Sequence, residues 1–255
     1  MIKKILLALL LAIPLSASDS LFKPTYSFLD TSLNYLAWSE ATKNRIDNRK
    51  NNFYYLELEG GAGFDWGETY FFFDIENPNK AWDNAPPNDI RVVFKPIIDI
   101  KILDSNFEVH IQDYFLDSKV FYVNNLVTGF AYKYTTKNFW IRPFLGTHYQ
   151  NSNGYTGFNG YMTGWTFNYN FNISTQKFAL AQWHEFEFAR DKKHYQNIDG
   201  TPNGDGRSYG TNGAISAWWL PIESITAGVQ YRYADYKLGE ATYQDGIILT
   251  VKYNF

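Results

Sequence analysis

Cysteine is absent from the 255 residues, so neither a disulfide framework nor a thiolate metal site is available. Long apolar runs are missing as well: past the first 20 residues nothing approaches the roughly 18 residues that a transmembrane helix needs. A mean hydropathy of -0.36 agrees and excludes a helical membrane bundle. It leaves room for a membrane-spanning sheet, whose alternation averages hydropathy away. The formal charge is -3, with the basic residues dispersed, which offers nothing to a nucleic-acid polymer. Helical spacing is scarce too, since apolar residues at i, i+3, i+4 and i+7 hardly occur beyond residue 20. The four histidines, His110, His148, His184 and His194, form no H-x-x-x-H pair. GTPNGDG lacks the full D-x-D-x-D-G spacing and terminal Glu of a calcium loop and reads as a turn. His194, with Asp191 and Asp199, reads as solvated loop. Neither a metal nor a cofactor is expected.

Aromatic residues are abundant instead, at 19% of the chain, far above the need of an ordinary soluble core. The N-terminus has Lys3 and Lys4, an apolar stretch from Ile5 to Leu15 and small residues from Ser16 to Ser18. This is the pattern of a secretory signal peptide, and cleavage after Ala17 divides the chain into a leader, 1–17, and a single domain, 18–255. Within that domain, alternating segments recur to the last residue. Twelve candidate strands lie near 31–41, 52–65, 68–77, 89–102, 106–117, 121–134, 138–150, 158–173, 178–190, 207–220, 223–236 and 243–255.

Two kinds of connection alternate between these strands. Short ones fall at Trp66-Gly67, 103–105, 135–137, 174–177 and Pro221-Ile222. The others are mostly longer and more polar, among them TKNRIDNRKN, NPNKAWDNAPPN and RDKKHYQNIDGTPNGDG. Tight turns at one end and longer loops at the other belong to an outer-membrane barrel with both termini on the periplasmic side. The expected fold is therefore all-β, a closed antiparallel 12-stranded transmembrane barrel. Its final strand, YQDGIILTVKYNF, alternates and ends in Phe255, which resembles the C-terminal signal that barrels present to the barrel assembly machinery.

In such a barrel the apolar parity faces lipid and the charged parity faces a wet lumen. YYLELEGGAGFDWGETYFFFDIENP then points Glu57, Glu59, Glu68, Tyr70, Asp74 and Glu76 inward. A turn at Trp66-Gly67 sets Glu59 opposite Asp74 and Glu57 opposite Glu76, a repulsion that needs compensation. DIRVVFKPIIDIKI offers Arg91, Lys95, Asp99 and Lys101 on one parity beside them. Further inward candidates are Glu108, His110 and Gln112, Arg142 and His148, Trp183, Glu185 and Glu187, and Gln230 with Arg232. Rings for stacking and charges for hydrogen bonding suit a neutral solute that has a flat ring and several hydroxyls, such as a nucleoside. The competing reading of each charge is a salt bridge that stiffens a narrow barrel.

These residues resemble the nucleoside-specific channel-forming outer-membrane proteins, the Tsx and OmpK family. YLELEGGAGFDWGETYFFFDIENP is similar to that family's early hairpin, and AGVQYRYADYKLG with YQDGIILTVKYNF to its closing hairpin. Gln230 stands where an acid is common and Ala234 where a Trp is common. The resemblance implies a monomeric 12-stranded barrel acting as a passive, substrate-selective channel in the bacterial outer membrane, and it carries over Glu57, Glu59, Glu68 and Asp74. Three rivals remain: a non-conducting barrel serving as adhesin or as phage or bacteriocin receptor, a general diffusion porin, and a barrel phospholipase using His148 and Ser152. The phospholipase is disfavoured, because four strand residues span about 13 Å. No enzyme activity is expected.

Overall fold

The computed structural model describes residues 20–255; the expected leader, 1–17, lies outside the described residues. The strands are β1 (Tyr26–Trp38), β2 (Phe53–Phe64), β3 (Gly67–Glu76), β4 (Arg91–Lys101), β5 (Phe107–Asp117) and β6 (Tyr122–Tyr132, resumed past Lys133 as Tyr134–Thr135). They continue with β7 (Phe139–Ser152), β8 (Thr156–Ile173), β9 (Gln176–Phe188), β10 (Gly210–Ile222), β11 (Ile225–Lys237) and β12 (Glu240–Asn254). Each pairs antiparallel with its neighbours in sequence. β12 returns to pair with β1, from Asp30↔Asn254 to Trp38↔Gly246, and closes a 12-stranded barrel. Closure leaves no strand edge unpaired, which a hydrocarbon environment demands. Among the described residues no helix is long and apolar enough to cross a membrane.

The period of two produces an inverted molecule. On β1, Leu33 is 53% exposed while its neighbour Asn34 is 1% exposed. Leu56, Leu145, Leu180, Val229, Leu249 and Val251 likewise stand outward, whereas Asp74, Asp99, Glu108, His110, Gln112 and Gln244 are buried within. The outward aromatics fall in two belts. Tyr54, Tyr149, Phe158, Tyr209 and Tyr243 lie toward one end, and Phe107, Tyr132, Tyr169, Trp219 and Tyr253 toward the end that bears the termini. Such rings suit the two membrane interfaces.

Several sequence expectations need correction. β1 begins at Tyr26 rather than near 31, because Tyr26, Phe28 and Leu29 put apolar side chains on both parities and hide the alternation. It ends at Trp38, where Ser39 caps a short helix, α1 (Glu40–Arg45), by accepting a hydrogen bond from the Thr42 amide. The first tight turn is Asp65-Trp66. Gly67, at φ 153°, opens β3, and a Cβ there would lie 2.0 Å from the Asp99 carbonyl oxygen. The register therefore moves by two residues: Glu57 faces Asp74, Tyr55 faces Glu76 and Glu59 faces Phe72. The outer connections after β7 and β11 shrink to 153–155 and 238–239, leaving 39–52, 77–90 and 189–209 as the long ones.

The inward parity is also less uniformly polar than expected. Leu36, Trp38, Tyr55 and Ile248 form one buried apolar cluster near the loop-bearing end. Val127, Ala131, Phe144 and Met162 form a second, on β6 to β8. These side chains fill the barrel where polar groups would go unpaired. The first outer loop docks over the closure seam, with Ser39 and Thr42 donating to the Asp245 carboxylate on β12 at 2.7 and 2.9 Å.

Candidate functional site

The wet part of the interior is defined by inward side chains that stay partly exposed. Glu57, Glu59, Tyr70 and Phe72 come from β2 and β3, Lys95 from β4, Tyr114 from β5, Trp183 from β9, Trp218 from β10, Arg232 from β11 and Lys252 from β12. Rings and ions are thus interleaved around the bore, as expected from the alternation. The expected site residues fall into three groups.

The first group lies on β1 to β3. Tyr70 donates to Glu59 at 2.8 Å, Ser32 donates to Glu57 at 3.3 Å, and Asp74 stands directly across the ladder from Glu57. Lys252 donates to Glu59 and lies 3.4 Å from Asp30. Oxygens of Asp30, Glu57 and Glu59 all come within 4.8 Å of one another. Two like charges at that distance repel by about 3.5 kcal/mol at an effective dielectric constant of about 20. Lys252 compensates Glu59 and Asp30, while on β4 Arg91 compensates Glu76.

The second group is a buried hub near the terminus-bearing end. Arg142 pairs at once with Glu68, with Asp99 at 2.9 Å and with Glu108 at 2.9 Å. Lys133, at the break in β6, also holds Glu68. His110 lies 2.7 Å from Asp99 and stacks on Phe144, with ring centroids 4.6 Å apart. Here the stiffening role competes directly with recognition, since every charge of Arg142 and Glu68 is engaged.

The third group ties non-adjacent strands together. Lys95 on β4 donates to Glu185 on β9 at 2.6 Å, and Gln112 donates to the same oxygen at 2.8 Å. Lys95 and Arg232 both sit over the ring of Trp183, at 5.5 and 4.6 Å from its centroid. Arg232 donates through one nitrogen to the carbonyls of Gly213 and Tyr233. Arg91 stands apart, paired with Glu76 at 2.8 Å and over Phe53.

Sequence reading missed Asp30, Lys133, Trp218 and Lys252 as parts of the site. Asp30 fell before the assigned start of β1. Lys252 had a usable signal, because it is the one cation on the inward parity of the last strand. The loop-bearing end holds a further set: Arg190 bonds Glu187 and the carbonyls of Arg207 and Tyr236, while Lys237 also reaches Glu187. His194 is not the solvated loop residue expected, since it packs edge-on to Tyr155 and lies 3.5 Å from Asp205. His148 and Ser152 both face the interior, where His148 bonds Asn125 and Ser152 bonds the Tyr155 carbonyl. A phospholipase dyad needs contact with lipid, and these two side chains face away from it.

Lys50 enters the bore from the first outer loop. Its ammonium donates to the Leu238 carbonyl at 2.9 Å and to Gln244, and lies 5.4 Å from the centroid of Trp38. Burial pulls its pKa down from 10.5 to about 8, with Glu240 opposing and Arg232 adding to the fall. The group is charged below that value and neutral above it. Between about pH 8 and 10.5 the unfolded chain binds the extra proton, so this lysine makes stability rise with pH across that window. Cation preference of the current, measured as a reversal potential, should accordingly rise through a midpoint near pH 8 in the native chain and show no such step in Lys50→Met.

The sequence model of a family described as nucleoside-specific channel-forming protein, Tsx, matches residues 33–255. Among solved structures, the chain is similar to the NanC porin in a rhombohedral crystal form, with a TM-score of 0.51 at 13% identity, covering 89% of this chain and 100% of that one. It is also similar to the KdgM porin in complex with disordered oligogalacturonate, with a TM-score of 0.46 at 10% identity, covering 89% of this chain and 99% of that one. At such identities the likeness to NanC speaks for the fold alone.

Proposed function

The chain belongs to the nucleoside-specific channel-forming family, Tsx, a family of substrate-specific outer-membrane channels, and on that premise we propose how its bore selects a solute. The observation that carries the reading is the mixed lining itself. Trp183, Trp218, Tyr70 and Tyr114 present ring edges or faces inward, beside the acceptors Glu57 and Glu59 and the donors Lys95 and Arg232. A nucleoside matches both halves of that chemistry. Its base stacks on a ring, its hydroxyls donate to the glutamates, and its base carbonyls accept from Lys95 or Arg232. Each contact is weak, as passage requires, because a solute held tightly blocks the path for the next.

In this reading the transport is passive and involves no catalysis. Arg142 and Glu68 belong to the scaffold that holds the bore in shape, and Glu57, Glu59, Tyr70, Asp74, Lys95, Glu185 and Arg232 form or support the contact surface. Residues 1–17 are a removed leader, 18–255 form the barrel, and the barrel works as a monomer. Phe255 and the strand before it are what the assembly machinery reads.

The test is planar-bilayer conductance with nucleosides, sugars and amino acids added in turn. Nucleosides should block the ionic current in a saturable way at concentrations where the other two classes do not. Equal permeation of all three without nucleoside block would make the bore a general porin instead.

A further inference from the structure

Arg232 is an inward cation on a stretch of wall that carries no acid for it. Its ladder partners are Ala214 on β10 and Gly246 on β12, and the next inward residues on those strands are Asn212, Ser216, Gln244 and Ile248. None of them is charged. Its Nη1 donates to the carbonyls of Gly213 and Tyr233 at 2.9 and 3.1 Å, and among the described residues its Nε and Nη2 have no acceptor. Glu185, two residues from Trp183 on β9, is already held by Lys95 and Gln112. Other interior cations show the opposite pattern, since Lys95, Arg142, Arg190, Lys237 and Lys252 each hold a carboxylate.

Further groups converge on the same patch. Asn212 and Gln244 face Ala234 from either side, one inward step along β11 from Arg232. Lys50 places its ammonium on Gln244, and among the described residues it too lacks a carboxylate partner. Residues diagonal across a ladder lie about 7–8 Å apart, so Lys50 meets the wall beside Arg232, near enough that Arg232 helps to lower its pKa. Between them the wall carries only the methyl group of Ala234 and the bare backbone of Gly246. Asn212 is 5% exposed, with a buried Oδ1 that has no hydrogen-bond partner. An amide left unpaired in an interior is costly until a ligand meets it, and by turning about its last bond it presents NH2 to an anion.

We propose that Arg232, Lys50 and Asn212 form an anion subsite in the bore, and that it takes the phosphate of a nucleoside monophosphate. Two cations without an acid beside them repel each other until an anion bridges them. A phosphate monoester carries about 1.5 to 2 negative charges near neutral pH and three acceptor oxygens, which match a guanidinium edge, an ammonium and an amide. The base half rests on the nucleoside reading above, because the Trp183 ring lies under the Arg232 guanidinium at 4.6 Å. The phosphate half stands without it.

The experiment is single-channel recording of the full barrel with uridine, uridine 5′-monophosphate and ribose 5-phosphate added in turn. Block events from the monophosphate should last about tenfold longer or more than those from uridine. Dwell time is the readout because steering by the overall charge of the bore changes how often events begin, whereas a contact changes how long they last. Lys50→Met and Arg232→Gln should each bring the ratio of the two dwell times back toward one. If Arg232→Gln fails to reach the folded, heat-modifiable form, Lys50→Met decides, since its side chain comes from a loop and not from the wall. Monophosphate events no longer than uridine events, or an unaltered ratio in Lys50→Met, overturn the subsite and leave the nucleoside reading standing. Equal events from both phosphates with none from uridine would keep the subsite and remove the nucleoside.

Discussion

Arg142→Met should cost the barrel about 3–5 kcal/mol, the usual penalty for removing one partner of a buried ion cluster. The side chains of Asp99 and Glu108 are 2% and 1% exposed, and both lose their guanidinium contact together with Glu68. Lys133 remains for Glu68 and His110 for Asp99, but Glu108 is left buried with no cation from this hub. Replacing the cluster with a neutral set differs from breaking it, so adding Glu108→Gln to Arg142→Met should recover part of the loss. Urea unfolding in lipid vesicles, followed by tryptophan fluorescence, measures both. An Arg142→Met midpoint equal to the native one would mean that the hub adds nothing to stability.

Trp183→Ala should weaken nucleoside block by about 1–3 kcal/mol, the range for loss of one base–aromatic stack, which corresponds to a roughly 5-fold to 150-fold shift of the blocking concentration. Trp183 is also the platform on which Lys95 and Arg232 rest, so its removal frees two donors from their positions. Trp219→Ala is the matched control. That ring faces outward and bonds Gln176, and its loss should leave the blocking concentration where it was. Identical titrations for the two variants would show that the solute does not stack on this wall.

Much of the barrel is legible in the sequence. Alternation in GIILTVKYNF and in the acidic hairpin assigns each side chain to lipid or to the interior, and the structure keeps nearly all of those assignments. The failures share a cause. β1 starts early because Tyr26 and Phe28 point inward and are apolar, and an inward ring looks the same in sequence as an outward one. Leu36, Val127 and Met162 were invisible as interior residues for the same reason. The turn at Asp65-Trp66 shifted the register by two, which preserves parity and so left every face assignment intact while changing every partner.

The chain by itself therefore determined the number of strands, their closure and the medium each residue meets, because those follow from a period of two that is local and repeats. It did not determine which charges meet. Lys95 and Glu185 are 90 residues apart, Arg142 and Glu68 are 74 apart, and Lys252 and Glu59 are 193 apart. Those meetings depend on how the strands stagger and how tightly the wall curves, which are properties of the closed cylinder. Parity puts a side chain inside, and only the circumference and stagger of the barrel decide what it finds there.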